Sequence, residues 1–97
     1  MLGSDIMSKQ LKIKSGFILK NIAGDYIVVP SGKNIVDFKI MLTLNETGAW
    51  LWEQMEQGIE TDTLTESFAE KYNITLSDAK NDIADFILQL NGRNLLE

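Results

Sequence analysis

Apolar residues recur along this chain with two different spacings. Ahead of Asn45 they come in short continuous runs or at every second position; after it they return every third and fourth residue. The first spacing belongs to strands and the second to helices. Phe17–Ile22 (FILKNI) has β-type composition, and Ala23-Gly24-Asp25 is a turn signal. Residues 26–29 (YIVV) are all β-branched or aromatic, which predicts a well-buried strand. Pro30 has no N–H to donate and ends that strand's pairing. Ser31-Gly32-Lys33-Asn34 is a second turn. Residues 35–42 then alternate, with Val36, Phe38, Ile40 and Leu42 on one face and Asp37 and Lys39 on the other. Three short strands joined by tight turns predict an antiparallel meander.

The helical half opens at Leu44-Asn45-Glu46-Thr47-Gly48. Asn45 is suited to cap the first helix, because its side-chain oxygen can accept an unpaired backbone N–H. Gly48, Leu51, Trp52 and Met55 then form a core-facing stripe, and Gly58 closes the helix. Thr61 is the expected cap of a second helix, with Leu64, Phe68, Ala69 and Tyr72 facing inward and Asn73 at its end. Ser77 is the expected cap of a third, whose stripe is Ala79, Ile83, Phe86, Ile87 and Leu90. Gly92 and Asn94 tolerate the left-handed conformation that stops a helix, and Leu95 and Leu96 return to the core. The pattern predicts an α+β domain of order βββααα. One face of its sheet lies on the helices and at least one sheet edge is exposed. A bare edge also permits a dimer or strand swapping, so the sequence leaves monomer and dimer open.

Length and composition narrow the class. Ninety-seven residues, 44% of them hydrophobic, make one small domain with a single core. Residues 17–97 are assigned to that domain. Residues 1–16 are assigned to a flexible N-terminal segment, of which 1–8 (MLGSDIMS) reads partly as a non-native extension ahead of a second candidate start at Met7. No apolar run approaches the ~20 residues of a membrane span, and no secretory signal is visible. The absence of cysteine fits a reducing compartment, so the expected location is cytoplasmic.

Charge is divided unevenly. Residues 1–44 hold six lysines against three aspartates, or +3. Residues 45–97 hold three basic residues against eleven acids, or −8. The helical half therefore repels phosphate backbones, which argues against a nucleic-acid partner. With no His and no Cys, the commonest general base, thiol nucleophile and imidazole ligand are missing, and there is no Gly-rich phosphate loop. The chain reads as a non-enzyme with no cofactor. Asp78, Asp82 and Asp85 sit on the third helix at roughly metal-ligand spacing, but such carboxylates are more often a solvated face, and no metal is assigned. Trp50 points about 160° from Trp52 at 100° per residue. It either covers part of the sheet or is exposed, in which case it marks a contact with another protein.

The run Leu44 to Trp52 (LNETGAWLW), the turn and cap from Gly58 to Leu64, the segment Phe68 to Tyr72, then Asp82, Ile83, Phe86 and Leu90, and the closing Arg93-Asn94-Leu95-Leu96 follow one another at fixed spacing. In that order they resemble the PqqD-like family of small peptide-binding domains, also called RiPP recognition elements. Asn94 stands where the family usually has Gly, and Trp50 where it usually has a polar residue.

The resemblance implies a winged-helix-like fold and a function. Such domains bind the leader of a ribosomally made precursor peptide and present it to a modifying enzyme, often a radical SAM enzyme. The leader adds as a strand to the sheet edge, against the third helix. Carried onto this chain, the edge is Val36, Asp37, Phe38, Lys39, Ile40 and Met41, and the opposing wall is Ile83, Ala84, Ile87 and Leu88. Main-chain groups of such an edge give affinity and neighbouring pockets give specificity. Asp37 and Lys39 serve equally well as charges that guard the edge from aggregation. The rival readings are a protein–protein adaptor of winged-helix fold and, less favoured by the acidic third helix, a DNA-binding regulator.

Overall fold

A computed structural model of the chain describes residues 9–31 and 42–97. The first sheet element is a two-residue strand, β1 (Gln10–Leu11). Next come β2 (Phe17–Ile22), β3 (Asp25–Pro30) and β4 (Leu42–Leu44). Helix α1 (Glu46–Met55) leads through a second two-residue strand, β5 (Ile59–Glu60), into α2 (Thr61–Tyr72). The last helix is α3 (Leu76–Gly92). Strands β2, β3 and β4 form a three-stranded antiparallel sheet in that order, and three helices follow it, as the spacing predicts.

The meander turns at Ala23 and Gly24, both at positive φ. Its register pairs Leu19 with Val28 and Val28 with Leu42. Because side chains alternate, Phe17, Leu19, Tyr26, Val28, Leu42 and Leu44 share the face that packs on the helices. The helices answer with Trp52, Met55, Leu64, Ile83 and Leu90, all fully buried. Trp52 hides its ring in the core while its Nε1 donates to Glu56 Oε2 at 3.2 Å. The indole N–H is thus satisfied without opening the core.

Asn45 caps α1, as its place at the end of β4 predicts: its Oδ1 accepts the Gly48 N–H at 2.8 Å. Asn73 ends α2 at φ 54°, and Asn94 adopts φ 58° just after α3. Two other terminus assignments are corrected. Thr75, not Ser77, caps α3, its Oγ1 accepting the Asp78 N–H at 3.0 Å. Thr61 is the first residue of α2 rather than its cap, which is Glu60 and supplies no side-chain bond. Gly92 is still helical, and the chain leaves α3 through Arg93 and Asn94.

The main departure lies at the N-terminal end. Residues 9–16, read from the sequence as part of a flexible segment, are built into the domain. Leu11 and Ile13 are buried, and β1 pairs antiparallel with β5 through Leu11–Ile59 and Gln10–Glu60. Both the N–H and the hydroxyl of Thr61 donate to the Lys9 carbonyl at 2.7 Å. Ile13 bridges Leu96 and donates its N–H to the Met55 carbonyl at 3.0 Å. The physical cause is alternation too short to register as a strand: Leu11 and Ile13 face inward between Gln10, Lys12 and Lys14. Gly58 lets the chain enter β5 with a φ of +91°.

Candidate functional site

The edge expected to receive a peptide, Val36 to Met41, lies outside the described residues. The end of the same strand is described. Leu42 and Leu44 are buried and Thr43 exposed, continuing the alternation, and among the described residues β4 pairs only with β3. Among the described residues no strand pairs with its other edge, and its last residue runs directly into the cap of α1.

A groove of about 290 Å³ opens at that point. One lip is the start of α1, with Asn45, Thr47 and Gly48. Leu51, Phe68 and Phe86 reach it from three helices and are almost entirely buried, so they form its floor. The far wall is α3, which contributes Asp82, Asp85 and Gln89, all exposed. A Cβ at Gly48 would stand 3.1 Å from Asn45 Oδ1, a tight approach, and 3.4 Å from the Leu44 side chain, an ordinary contact. A side chain there would press on the cap acceptor. The Leu44-Asn45-Glu46-Thr47-Gly48 run therefore fixes the strand end, the cap and the lip in one turn.

The helical residues expected as the opposing wall are distributed differently. Ile83 is buried in the core. Ile83, Ala84 and Ile87 line a second groove, of about 460 Å³, shared with Thr61, Asp62 and Thr65 of α2 and with Lys80. Ile87 also borders a third, of about 410 Å³, beside Lys9, Gln10 and Leu96. Leu88 is 70% exposed and lines none of the three. The structure thus brings Ile83, Ala84 and Ile87 together, but on the flank of α3 facing the start of α2. The groove at the end of β4 uses the Asp82, Asp85, Phe86 and Gln89 flank. The sequence reading weighs Asp82 and Asp85 only as metal ligands or a solvated face, and it does not single out Gln89. Their adjacency to Phe86 on the helical wheel was the available signal.

Trp50 is half-buried against α2 rather than on the sheet. Its ring stacks on Phe68 with centroids 5.9 Å apart and meets the edge of Tyr72 at 6.1 Å. Lys71 Nζ stands 5.9 Å from its ring centroid, within cation–π range. Burial pushes the Tyr72 hydroxyl above its ordinary pKa of 10.0, and the charges of Glu46 and Tyr26 add to the effect. Among the described residues no three acidic side chains gather as metal ligands. No described helix is long and apolar enough to cross a membrane.

A family model described as Coenzyme PQQ synthesis protein D (PqqD) matches residues 25–96, from β3 through α3 to Leu96. No curated protein and no solved structure matches the chain.

Proposed function

The chain belongs to the PqqD family, and from that premise we propose that it is a non-catalytic chaperone for a ribosomally made precursor peptide. The leader of that peptide adds as a strand along the outer edge of β4. The domain then presents the remainder to a modifying enzyme, such as a radical SAM maturase, in the cytoplasm. The observation that carries this reading is the position of β4: it is the last strand of its sheet among the described residues, and it ends in a groove walled by α3. Backbone groups of an open edge hold any extended peptide, and a groove beside it can select among side chains. The lack of His and Cys speaks against a catalytic role, and the −8 charge of residues 45–97 speaks against a nucleic-acid partner.

The test is an NMR titration of labelled protein with synthetic peptides spanning the leader of a precursor encoded beside this gene. The expected result is shifts concentrated at residues 42–44 and along the Asp82, Asp85 and Gln89 flank of α3. A folded sample that shows no shifts with any leader would sink strand addition. The alternative is then an adaptor that docks on a folded partner, for which the Trp50–Lys71–Tyr72 surface is the specific candidate.

A further inference from the structure

The three-stranded sheet has a second edge, along β2, and that strand is described over its whole length. The direction of its backbone groups follows from its pairing with β3. The Ser31 N–H donates to the Gly16 carbonyl at 2.8 Å, and the register runs on through Ile18–Val29, Lys20–Ile27 and Ile22–Asp25. Bonded and non-bonded pairs alternate in an antiparallel ladder, so Ile18, Lys20 and Ile22 bond to β3. Pro30, which has no N–H, falls at a non-bonded place opposite Phe17. The N–H and C=O groups of Phe17, Leu19 and Asn21 therefore point to the outer side of β2, where no described strand pairs with them.

This strand is apolar on both faces. Phe17 and Leu19 pack against the core, half-buried. On the opposite face Ile18 and Ile22 are 38% and 48% exposed, with Lys20 between them. Edge strands are guarded by charge, and here Lys20 is the one charged residue of the strand. Leu19 and Asn21 line none of the three grooves described above, so those grooves give this edge no means of selecting a peptide by its side chains.

We propose that β2 pairs with β2 of a second copy of this chain, antiparallel about a two-fold axis at Leu19. In that register Leu19 faces its own mate and Phe17 faces Asn21 of the partner copy, so the outward backbone groups of both strands meet as bonded pairs. Lys20 lies opposite Ile18 of the partner copy, where its methylene stem covers the apolar side chain and its ammonium stays in water. Moving the axis to Lys20 would set like charges face to face. Moving it to Ile18 would carry Ser15, which lies outside β2, into the ladder. The two sheets join into one whose outer strands are the two copies of β4, about 24 Å apart by the usual strand spacing. Pairing through β2 thus leaves β4 unoccupied in both copies.

Sedimentation equilibrium of the full chain tests this. A single strand pair is at the small end of protein interfaces, so the dimer fraction should rise over loadings from about 10 μM to about 1 mM. Ile18→Lys, at an exposed position, brings a second ammonium opposite Lys20 at both ends of the pair and should weaken association about tenfold. Adding Lys20→Glu turns both contacts into opposite-charge pairs and should restore the dimer. In a mixed-label sample of the unaltered chain, a filtered nuclear Overhauser effect should join the α-protons of Ile18 and Lys20 from opposite copies, the close contact of a non-bonded pair. A chain that stays monomeric across this range would overturn the proposal. So would a dimer that lacks that effect, ignores Ile18→Lys, or is not rescued by the second substitution. None of these results bears on the peptide titration at β4, which stands or falls separately.

Discussion

The two flanks of α3 share one helix and one core stripe, yet they border different neighbours. The Ile83, Ala84 and Ile87 flank looks toward the start of α2 and the N-terminal strand β1, across a charge-balanced groove. The Asp82, Asp85, Phe86 and Gln89 flank looks toward the start of α1 and the end of β4. Apolar content favours the first as a binding wall, while position favours the second. The candidate site at the end of β4 is picked out by where the chain places that strand, and greasiness alone does not report it.

The comparison can be broken most directly through stability. Ile83→Ala deletes a fully buried side chain and should cost ~2–5 kcal/mol in urea denaturation. Leu88→Ala, at an exposed site lining neither flank's groove, should stay within about 0.5 kcal/mol. A similar cost for both would mean that α3 is rotated from the orientation described. The cap is the next largest effect. Asn45→Ala removes the acceptor of the Gly48 N–H and should cost ~1 kcal/mol. Because Asn45 is also a lip of the β4 groove, this variant should lose peptide affinity, while Lys80→Ala on the other flank should not. Equal losses from the two would erase the distinction between the flanks.

The smallest effect comes from Tyr72, which reports on α2 independently of either groove. Its pKa is higher in the folded chain than the ordinary 10.0, so folding holds the phenolic proton more tightly. That stability is complete below pH 10.0 and is lost as pH rises through the raised native value. Tyr72→Phe keeps the ring against Trp50 and Phe68 and should flatten the alkaline decline. Urea midpoints measured on either side of pH 10.0 would show it, and an unchanged slope would assign the decline to other groups.

Much of the fold could be read from local pattern. The FILKNI strand, the Asn45 cap and the three helical stripes depend on neighbours close in sequence, and each stands where its spacing put it. Two of the misplaced features depend on distant partners. Leu11 and Ile13 are too few to announce a strand, and their burial depends on Ile59, Met55 and Leu96. Thr61 looks like a cap locally, yet its hydroxyl is committed to the Lys9 carbonyl. The site follows the same division. Its residues on α1 were visible as a capping motif. The sequence pointed to α3 as the wall but not to the flank that borders this groove, because a helical wheel gives the angle between side chains without saying which neighbour each will meet.

The pairing of β1 with β5 and the bridge from Ile13 to Leu96 also set an order of events in time. They join parts of the chain far apart in sequence, so closing those loops costs entropy that the helices and the β2–β3 turn do not incur. Short contacts of this kind form after the nucleus and release before it. Substitutions at Leu11 and Ile13 should therefore speed unfolding and leave the folding rate nearly unchanged. Their neighbouring amides should exchange with solvent at lower free energy than those of α3. The expected first opening of the described fold is a loosening of the contacts that join residues 10–13 to Met55, Ile59 and Leu96, with the β2–β3–β4 sheet and α3 still assembled.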